Sequence, residues 1–417
     1  MSLSQQSLST DYQALIDVLS NQENLLIIQD LDGVCMKLVK DPLTREMSPE
    51  YIKATTAFRD RFFVLTNGEH IGRRGVNSIV EKAFAGNIDL IKQQGLYLPG
   101  LAGGGVQLQD CYGNVSHPGV TEEELLFLTA VPGKIEASLN KFFTNNSYGL
   151  TSAEIEKCIT VAILDNKVSP TANLNTFYDA FVHQPEVYFK LQKETAALMN
   201  QLLAEAAEQS LDDSFFIHYA PNLGRDEAGK EIMQLATDSD SGTTDFQFML
   251  RGAIKEAGVL AILNHYYYLQ TGAYPLGQEF NAREAAKTHD ELLSIVKDNF
   301  DPDIMPQIIG VGDTVTSKAE VNGDQVIYRR GGSDRNFLQL IQDLNQYFNR
   351  DNIVAYIDSS GGEIKNRQAL KLEDNEGKQS SDGKRNNADP LTLNIVFPGG
   401  YQQYVDIFNQ AASLTFE

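Results

Sequence analysis

Cysteine, histidine and positive charge are all scarce in this 417-residue chain, and each shortage excludes a class of protein. Its three cysteines, Cys35, Cys111 and Cys158, are odd in number, widely spaced and free of any Cys-x-x-Cys pair. A disulfide framework is thereby excluded, and reduced thiols in a cytoplasmic protein are expected. The six histidines fall in no zinc-type spacing. Lys and Arg number 34 against 56 Asp and Glu, and the formal net charge of -22 opposes simple attraction to a phosphate backbone or to anionic lipid. Neither nucleic acid nor a membrane is an expected partner. Residues 1–24 are polar and lack the apolar segment of a secretory signal, and no apolar run approaches the length that spans a bilayer.

What is present is the make-up of a soluble globular protein. A hydrophobic share of 42% with 22% charged residues allows a sizeable core. The most informative segment is the run Leu25-Leu26-Ile27-Ile28-Gln29, which ends abruptly in Asp30-Leu31-Asp32-Gly33. Four apolar residues without alternation indicate a strand buried on both faces, as in a parallel sheet covered by helices. Side chains two apart on a strand share a face, so Asp30 and Asp32 are expected to project together from its carboxyl end. That pair suits metal-assisted phosphoryl chemistry: one carboxylate attacks phosphorus, the other manages protons, and an ion offsets the repulsion between attacker and phosphate. A calcium loop also begins Asp-x-Asp, but Val34 and Cys35 stand where it needs an oxygen ligand and a glycine. Two further runs share the design. Phe62-Phe63-Val64-Leu65 leads into Thr66-Asn67-Gly68, and Ile308-Ile309-Gly310-Val311-Gly312 into Asp313-Thr314. Open α/β sheets gather their chemistry outside the carboxyl ends of their strands, so these ends are expected to converge on one crevice.

Helices are expected at 11–20, 49–60 and 77–94, alternating with strands in the βαβ rhythm of a doubly wound sheet, followed by a hairpin over 106–116. Between 119 and 251 the rhythm changes, with helices around 122–143 and 185–208 and strands near 214–219 and 244–250. It resumes with a helix near 254–269. The expected architecture is α/β: a doubly wound, mostly parallel sheet built from 1–118 and 252–417, with an inserted α/β cap at 119–251. The hydrophilic stretch 318–328 reads as a hairpin-like insertion, and the polar, aperiodic stretch 372–389 as an exposed loop.

The ordered set Asp30-Leu31-Asp32-Gly33, Thr66-Asn67, a lysine opening a helix, and Gly312-Asp313 resembles the haloacid-dehalogenase superfamily of phosphohydrolases. The resemblance implies that Asp30 is a nucleophile and Asp32 a general acid/base. It implies that Thr66 and the lysine hold phosphate oxygens, and that Mg²⁺ is ligated by Asp30, Asp313 and the backbone carbonyl of Asp32. The segments QDLDGVCM, VLTNGEH, GLYLPGLAGGGVQ, SPTANLNT, HYAPNLGRDE, SGTTDFQFMLRG, GVGDTVTS and RRGGSDRNFLQLIQDL are similar, nearly end to end, to the glucosylglycerol-phosphate phosphatases of cyanobacteria. That resemblance implies removal of phosphate from 2-O-glucosylglycerol 3-phosphate, release of an osmoprotective solute under salt stress, and a link to the synthase that makes the substrate. A phosphatase for trehalose or sucrose phosphate is the alternative on the same core. A non-catalytic sugar-phosphate sensor or synthase partner is another, against which the intact Asp30/Asp32 pair argues.

Several residues compete for the remaining roles. Lys255 opens a helix directly after an apolar segment, where an ammonium, backbone N–H groups and the helix dipole can together face an anion; Lys230 lacks that setting. Many relatives carry a second acid soon after the glycine-aspartate pair, but Val315, Thr316 and Ser317 occupy that space here, so Asp334 is taken as the second metal-site acid. The acidic stretch Asp238 to Asp245 follows no buried strand and is set aside. Asn67 and Gly68 accompany Thr66 at the phosphate. Glu69, His70, Arg73 and Arg74, read as part of a helix, are candidates to approach the ligand. In the cap, His218, Tyr219, Asn222 and Arg225 gather near a strand end and are candidates to read the sugar.

Overall fold

The computed structural model describes the chain apart from residues 1, 238, 287, 323–324, 371, 373–388 and 416–417, so the loop expected at 372–389 lies almost wholly outside the described residues. Leu25–Gln29 is buried at every position and lies inside an eight-stranded sheet. In spatial order the strands are Ile395–Phe397, Ile353–Ile357, Gln307–Gly312, Leu25–Gln29, Phe62–Leu65, Gly100–Ala102, Gln107–Gln109 and Val115–Ser116. Those up to Gly100–Ala102 run parallel; the rest turn back antiparallel.

Alternation along one strand supplies two cores. Leu25 and Ile27 pack with residues of helices Tyr12–Asn21, Pro49–Thr55 and Gly400–Thr415, while Leu26 and Ile28 pack with those of Lys255–Thr271, His289–Asn299 and Arg335–Phe348. Burial on both faces is the reason the run shows no polar alternation. From Leu25–Gln29 the chain proceeds to Phe62–Leu65 on one side, and Gln307–Gly312 fills the other, so the strand order reverses there. That reversal opens a crevice at the carboxyl ends.

After Ser116 the chain leaves this sheet. Ile163–Leu164, Thr171–Asn173, Asp245–Leu250 and Phe215–Ala220 form a separate antiparallel sheet in that order. Its apolar face packs on helices Glu122–Phe143, Ser152–Ala162 and Pro185–Glu208. Capping boxes at Thr121 and Thr151 start two of these helices by satisfying otherwise unpaired N–H groups. A ribbon, Asn222–Arg225 with Glu231–Met233, meets the hairpin Thr316–Asn322 and Gln325–Gly331. The approach is close: a β-carbon at Gly224 would lie 2.6 Å from the carbonyl oxygen of Arg330.

Two expectations need correction. The helix expected at 77–94 is two helices, Val76–Ala83 and Ile88–Gln94. Ala85 and Gly86 between them adopt left-handed φ values of 52° and 76°, and Asn87 caps the second helix by accepting from the Leu90 N–H. The helix expected at 49–60 ends at Thr55 and tightens into a short 3-10 turn, Thr56–Phe58. Among the described residues no helix is long and apolar enough to cross a membrane.

Candidate active site

Gln29 is paired with Val311, which brings the ends of two strands together one residue before Asp30 and two before Asp313. Asp334 occupies the N-cap position of Arg335–Phe348 but makes no capping bond. Its Oδ2 accepts instead from the backbone N–H groups of Asp313 at 2.9 Å and Thr314 at 3.0 Å. Lys255, the first residue of its helix, sends Nζ to 2.6 Å from Asp334 Oδ1 and 3.0 Å from Asp30 Oδ1. Asp30, Asp313 and Asp334 are all buried and offer oxygens within 4.8 Å of one another. Gly33 permits this crowding: its φ is 79°, and a β-carbon there would lie 2.3 Å from Asp313 Oδ2.

Three buried carboxylates face the buried Lys255 ammonium and, at Asp313, the Arg367 guanidinium, so ionising all three leaves negative charge in excess. Burial pushes the Asp30 carboxyl up to about 8, Lys255 only partly opposes this, and Asp334 and Asp313 add to it. Burial likewise raises Asp313 to about 6, against the pull of Arg367. Burial disfavours the charged form of Lys255, but Asp30 and Asp334 outweigh it and raise its pKa above the ordinary lysine value. Asp313 Oδ2 and Asp30 Oδ1 are buried without a directed hydrogen bond, Lys255 standing near the latter as an ion-pair partner only. An all-oxygen donor set with uncompensated negative charge fits a hard divalent cation.

One cavity contains Asp30, Asp32, Thr66, Lys255 and Asp313. Thr66 is buried and its Oγ1 accepts from the Gly68 N–H at 3.1 Å. Asp32, with a side chain 25% exposed, lies 2.8 Å from Arg45 Nε. Asn67 and Gly68 line the cavity, as do the candidate Arg74 and two arginines not singled out in the sequence, Arg45 and Arg367. Arg74 pairs with Asp165, and Arg367 donates to Thr314 Oγ1 at 3.1 Å with Nε 3.6 Å from Asp313 Oδ2. Neither Arg45 nor Arg367 directly follows a buried strand, so no pattern marked them.

Other candidates sit elsewhere. The segment Glu69 to Gly75 is turn rather than helix, which begins only at Val76. His70 is fully buried with Nε2 3.1 Å from the Gly100 carbonyl oxygen, and burial lowers its pKa to about 4; it is packed in the core as a neutral ring and does not line the cavity. Arg73 is exposed and also outside the cavity lining; its neighbour Arg74 takes that place. Glu69 lines the cavity, but its carboxylate accepts from the N–H groups of Val168 at 2.5 Å and Ser169 at 3.1 Å, tying the Thr66 loop to the second sheet. Lys230 is exposed at the ribbon turn, away from the carboxylates. Asp240 bonds Gln234 and Gly242 and is no part of the cluster, whereas Asp245 does line the cavity.

His218, Asn222 and Arg225 line a neighbouring cavity of about 210 Å³ that also reaches Asn67 and Lys255. His218 Nε2 lies 2.9 Å from Asn67 Nδ2 and its Nδ1 2.9 Å from Glu231 Oε1. Glu231 Oε2 accepts from the Tyr219 N–H and from Asn222 Nδ2, and Asn222 Oδ1 accepts from the N–H groups of Gly224 and Gly332. Burial pushes Glu231 up, but His218 and these hydrogen bonds outweigh it and hold the carboxyl below its usual range. The result is a polar chain from the Thr66-Asn67 loop, through the ribbon, to the residue two before Asp334.

A doubly wound sheet with clustered carboxylates at its switch point and a lysine at a helix start is the architecture of a haloacid-dehalogenase-type phosphohydrolase. The family described as glucosylglycerol-phosphate phosphatase matches residues 24–412, and the chain belongs to it. The chain is 55% identical over 416 residues to the glucosylglycerol-phosphate phosphatase of Synechocystis sp., covering 99% of this chain and 98% of that protein. Among solved structures, the C-terminal domain of Candida albicans trehalose-6-phosphate phosphatase is similar with a TM-score of 0.46 at 10% identity, covering 98% of each chain. The Aspergillus fumigatus trehalose-6-phosphate phosphatase has a TM-score of 0.39 at 9% identity, covering 98% of this chain and 99% of that one. Similarity at that level does not speak to the substrate.

Proposed function

We propose that the chain hydrolyses 2-O-glucosylglycerol 3-phosphate to glucosylglycerol and phosphate. The observation that carries this reading is Lys255 bridging Asp30 and Asp334 in a buried carboxylate cluster, in a chain 55% identical to a protein of that name. Asp30 attacks phosphorus in line while Asp32 gives a proton to the departing glycerol oxygen. Water then attacks the aspartyl phosphate, and Asp32 takes its proton. Arg45 holds Asp32 in an ion pair beforehand, so entry of substrate opens that pair and frees the guanidinium for the phosphate. Thr66 and Lys255 hold the phosphate oxygens on which charge develops. Asp30, Asp313, Asp334 and the Asp32 carbonyl are the groups that would hold Mg²⁺, which supplies neutralisation between the attacking carboxylate and the phosphate.

In this reading residues 119–251 act as a cap over a core of 1–118 and 252–417, excluding water from the crevice. The enzyme works in the cytoplasm, in compatible-solute formation under salt stress, on the ester a synthase supplies. The test is phosphate release from a panel of glucosylglycerol 3-phosphate, trehalose 6-phosphate, sucrose 6-phosphate and glycerol 3-phosphate. The highest kcat/KM is expected on the first, with activity lost on chelation and restored by Mg²⁺. Higher kcat/KM on a disaccharide phosphate would replace the substrate, and no turnover of any ester would leave a binding role.

A further inference from the structure

Phosphoryl transfer makes no use of the polar face of the second sheet, although that face lines the same cavity. Along Asp245–Leu250 the residues Phe246, Phe248 and Leu250 are buried in the apolar cluster behind the sheet, so Asp245 and Gln247 face the other way. Register sets Asn173 beside Asp245 and Thr171 beside Gln247 on the neighbouring strand. All four line the cavity that contains Asp30, Thr66 and Lys255.

Their hydrogen-bonding capacity is not used up. Asn173 Nδ2 donates to Asp245 Oδ1 at 2.8 Å and Thr244 Oγ1 to Asp245 Oδ2 at 3.0 Å. These bonds fix the orientation of the carboxylate and leave each oxygen a further lone pair. Gln247 Oε1 is buried without a hydrogen bond, a costly state unless a ligand brings a donor. A row of oriented acceptors and amides suits a hydroxyl-rich alcohol, since every hydroxyl can donate to a carboxylate or an amide oxygen. His218 and Asn222, in contrast, are already bonded to Asn67, Glu231 and the Gly332 N–H.

We infer that Asp245 and Gln247, flanked by Asn173 and Thr171, form the subsite that reads the hydroxyls of the alcohol carried by the phosphate. Preference among phosphate esters is set there rather than at His218, Asn222 and Arg225. The inference rests on the phosphatase reading above. It is tested by measuring kcat/KM for glucosylglycerol 3-phosphate and for glycerol 3-phosphate in the unaltered full chain, in Asp245→Asn and in Gln247→Leu, both close to the original side-chain size. The ratio of the two values is expected to fall by about tenfold or more in each variant, because a site built to bond a hydroxyl loses discrimination when its partner group is removed. Inhibition by free glucosylglycerol should weaken in parallel. An unchanged ratio overturns the subsite. Equal loss on both substrates with an unaltered thermal unfolding curve also overturns it, since that pattern belongs to catalysis. If the unaltered protein hydrolyses neither ester, the reaction itself is wrong; a selective parent with equally selective variants removes only the subsite.

Discussion

Gly33 carries no functional group, yet the carboxylate cluster depends on it. A methyl group there would press on Asp313 Oδ2 at 2.3 Å and strain a φ of 79°. Gly33→Ala is therefore expected to remove most phosphatase activity while leaving far-UV circular dichroism close to that of the parent; a fully active variant would show that the cluster tolerates displacement. The two lysines are separated as sharply. Lys255→Ala should cost about 2 kcal/mol or more of transition-state stabilisation through the lost charge-assisted phosphate contact, read as kcat/KM. Lys230→Ala should cost far less, and the reverse order would discredit the helix-start assignment. The raised carboxyls also predict a pH dependence. Asp30 has a folded-state pKa of about 8 against an ordinary 3.8, so between those values the folded chain holds a proton the unfolded chain has released. In chelator, stability should fall as pH rises through that window, and Mg²⁺ should restore it at the upper end. A melting temperature rising with pH in chelator would contradict the charge excess. Asp30, Thr66 and Asp313 were legible because each directly follows a buried strand, and Lys255 because it opens a helix. Arg74 was marked only as one of four polar residues after the Thr66 motif, and Arg45 and Arg367 were not marked, since loop residues reach the cavity only through tertiary folding.

At the scale of elements, the ribbon joins the two sheets through Glu231. Removing its carboxylate by Glu231→Ala leaves His218 Nδ1, the Tyr219 N–H and Asn222 Nδ2 without their acceptor, and the cost should be about 2 kcal/mol in urea unfolding. Hydrogen exchange should rise at Asn222–Arg225 first. Unchanged stability would mean the chain of bonds is not a clasp. The strand Asp245–Leu250 was visible as a strand, but its alternation of Asp245 and Gln247 with Phe246 and Phe248 also carried the polar face, a signal legible only once the face opposite the core had been placed over the carboxylates. The break at Ala85 and Gly86 escaped the helical reading because the apolar spacing continues across it while the backbone turns left-handed.

Over the whole molecule, a net charge of -22 makes self-repulsion a general term against compactness. Raising NaCl from near zero to about 0.5 M should raise the melting temperature by screening it; a fall would mean that attractive pairs dominate. Composition bounded the class of protein and the strand ends located the crevice, but the architecture of the inserted sheet followed from long-range pairing that no local window displays. Attack of Asp30 on phosphorus is the step on which every other assigned role depends. It is tested most directly by acid-quenching the unaltered enzyme during turnover of glucosylglycerol 3-phosphate with Mg²⁺ and locating any trapped phosphoryl group by peptide mass spectrometry. One phosphoryl group is expected on the peptide that contains Asp30 and none in Asp30→Asn; a phosphoryl group on another residue, or undiminished turnover by Asp30→Asn, would rule out Asp30 as the nucleophile.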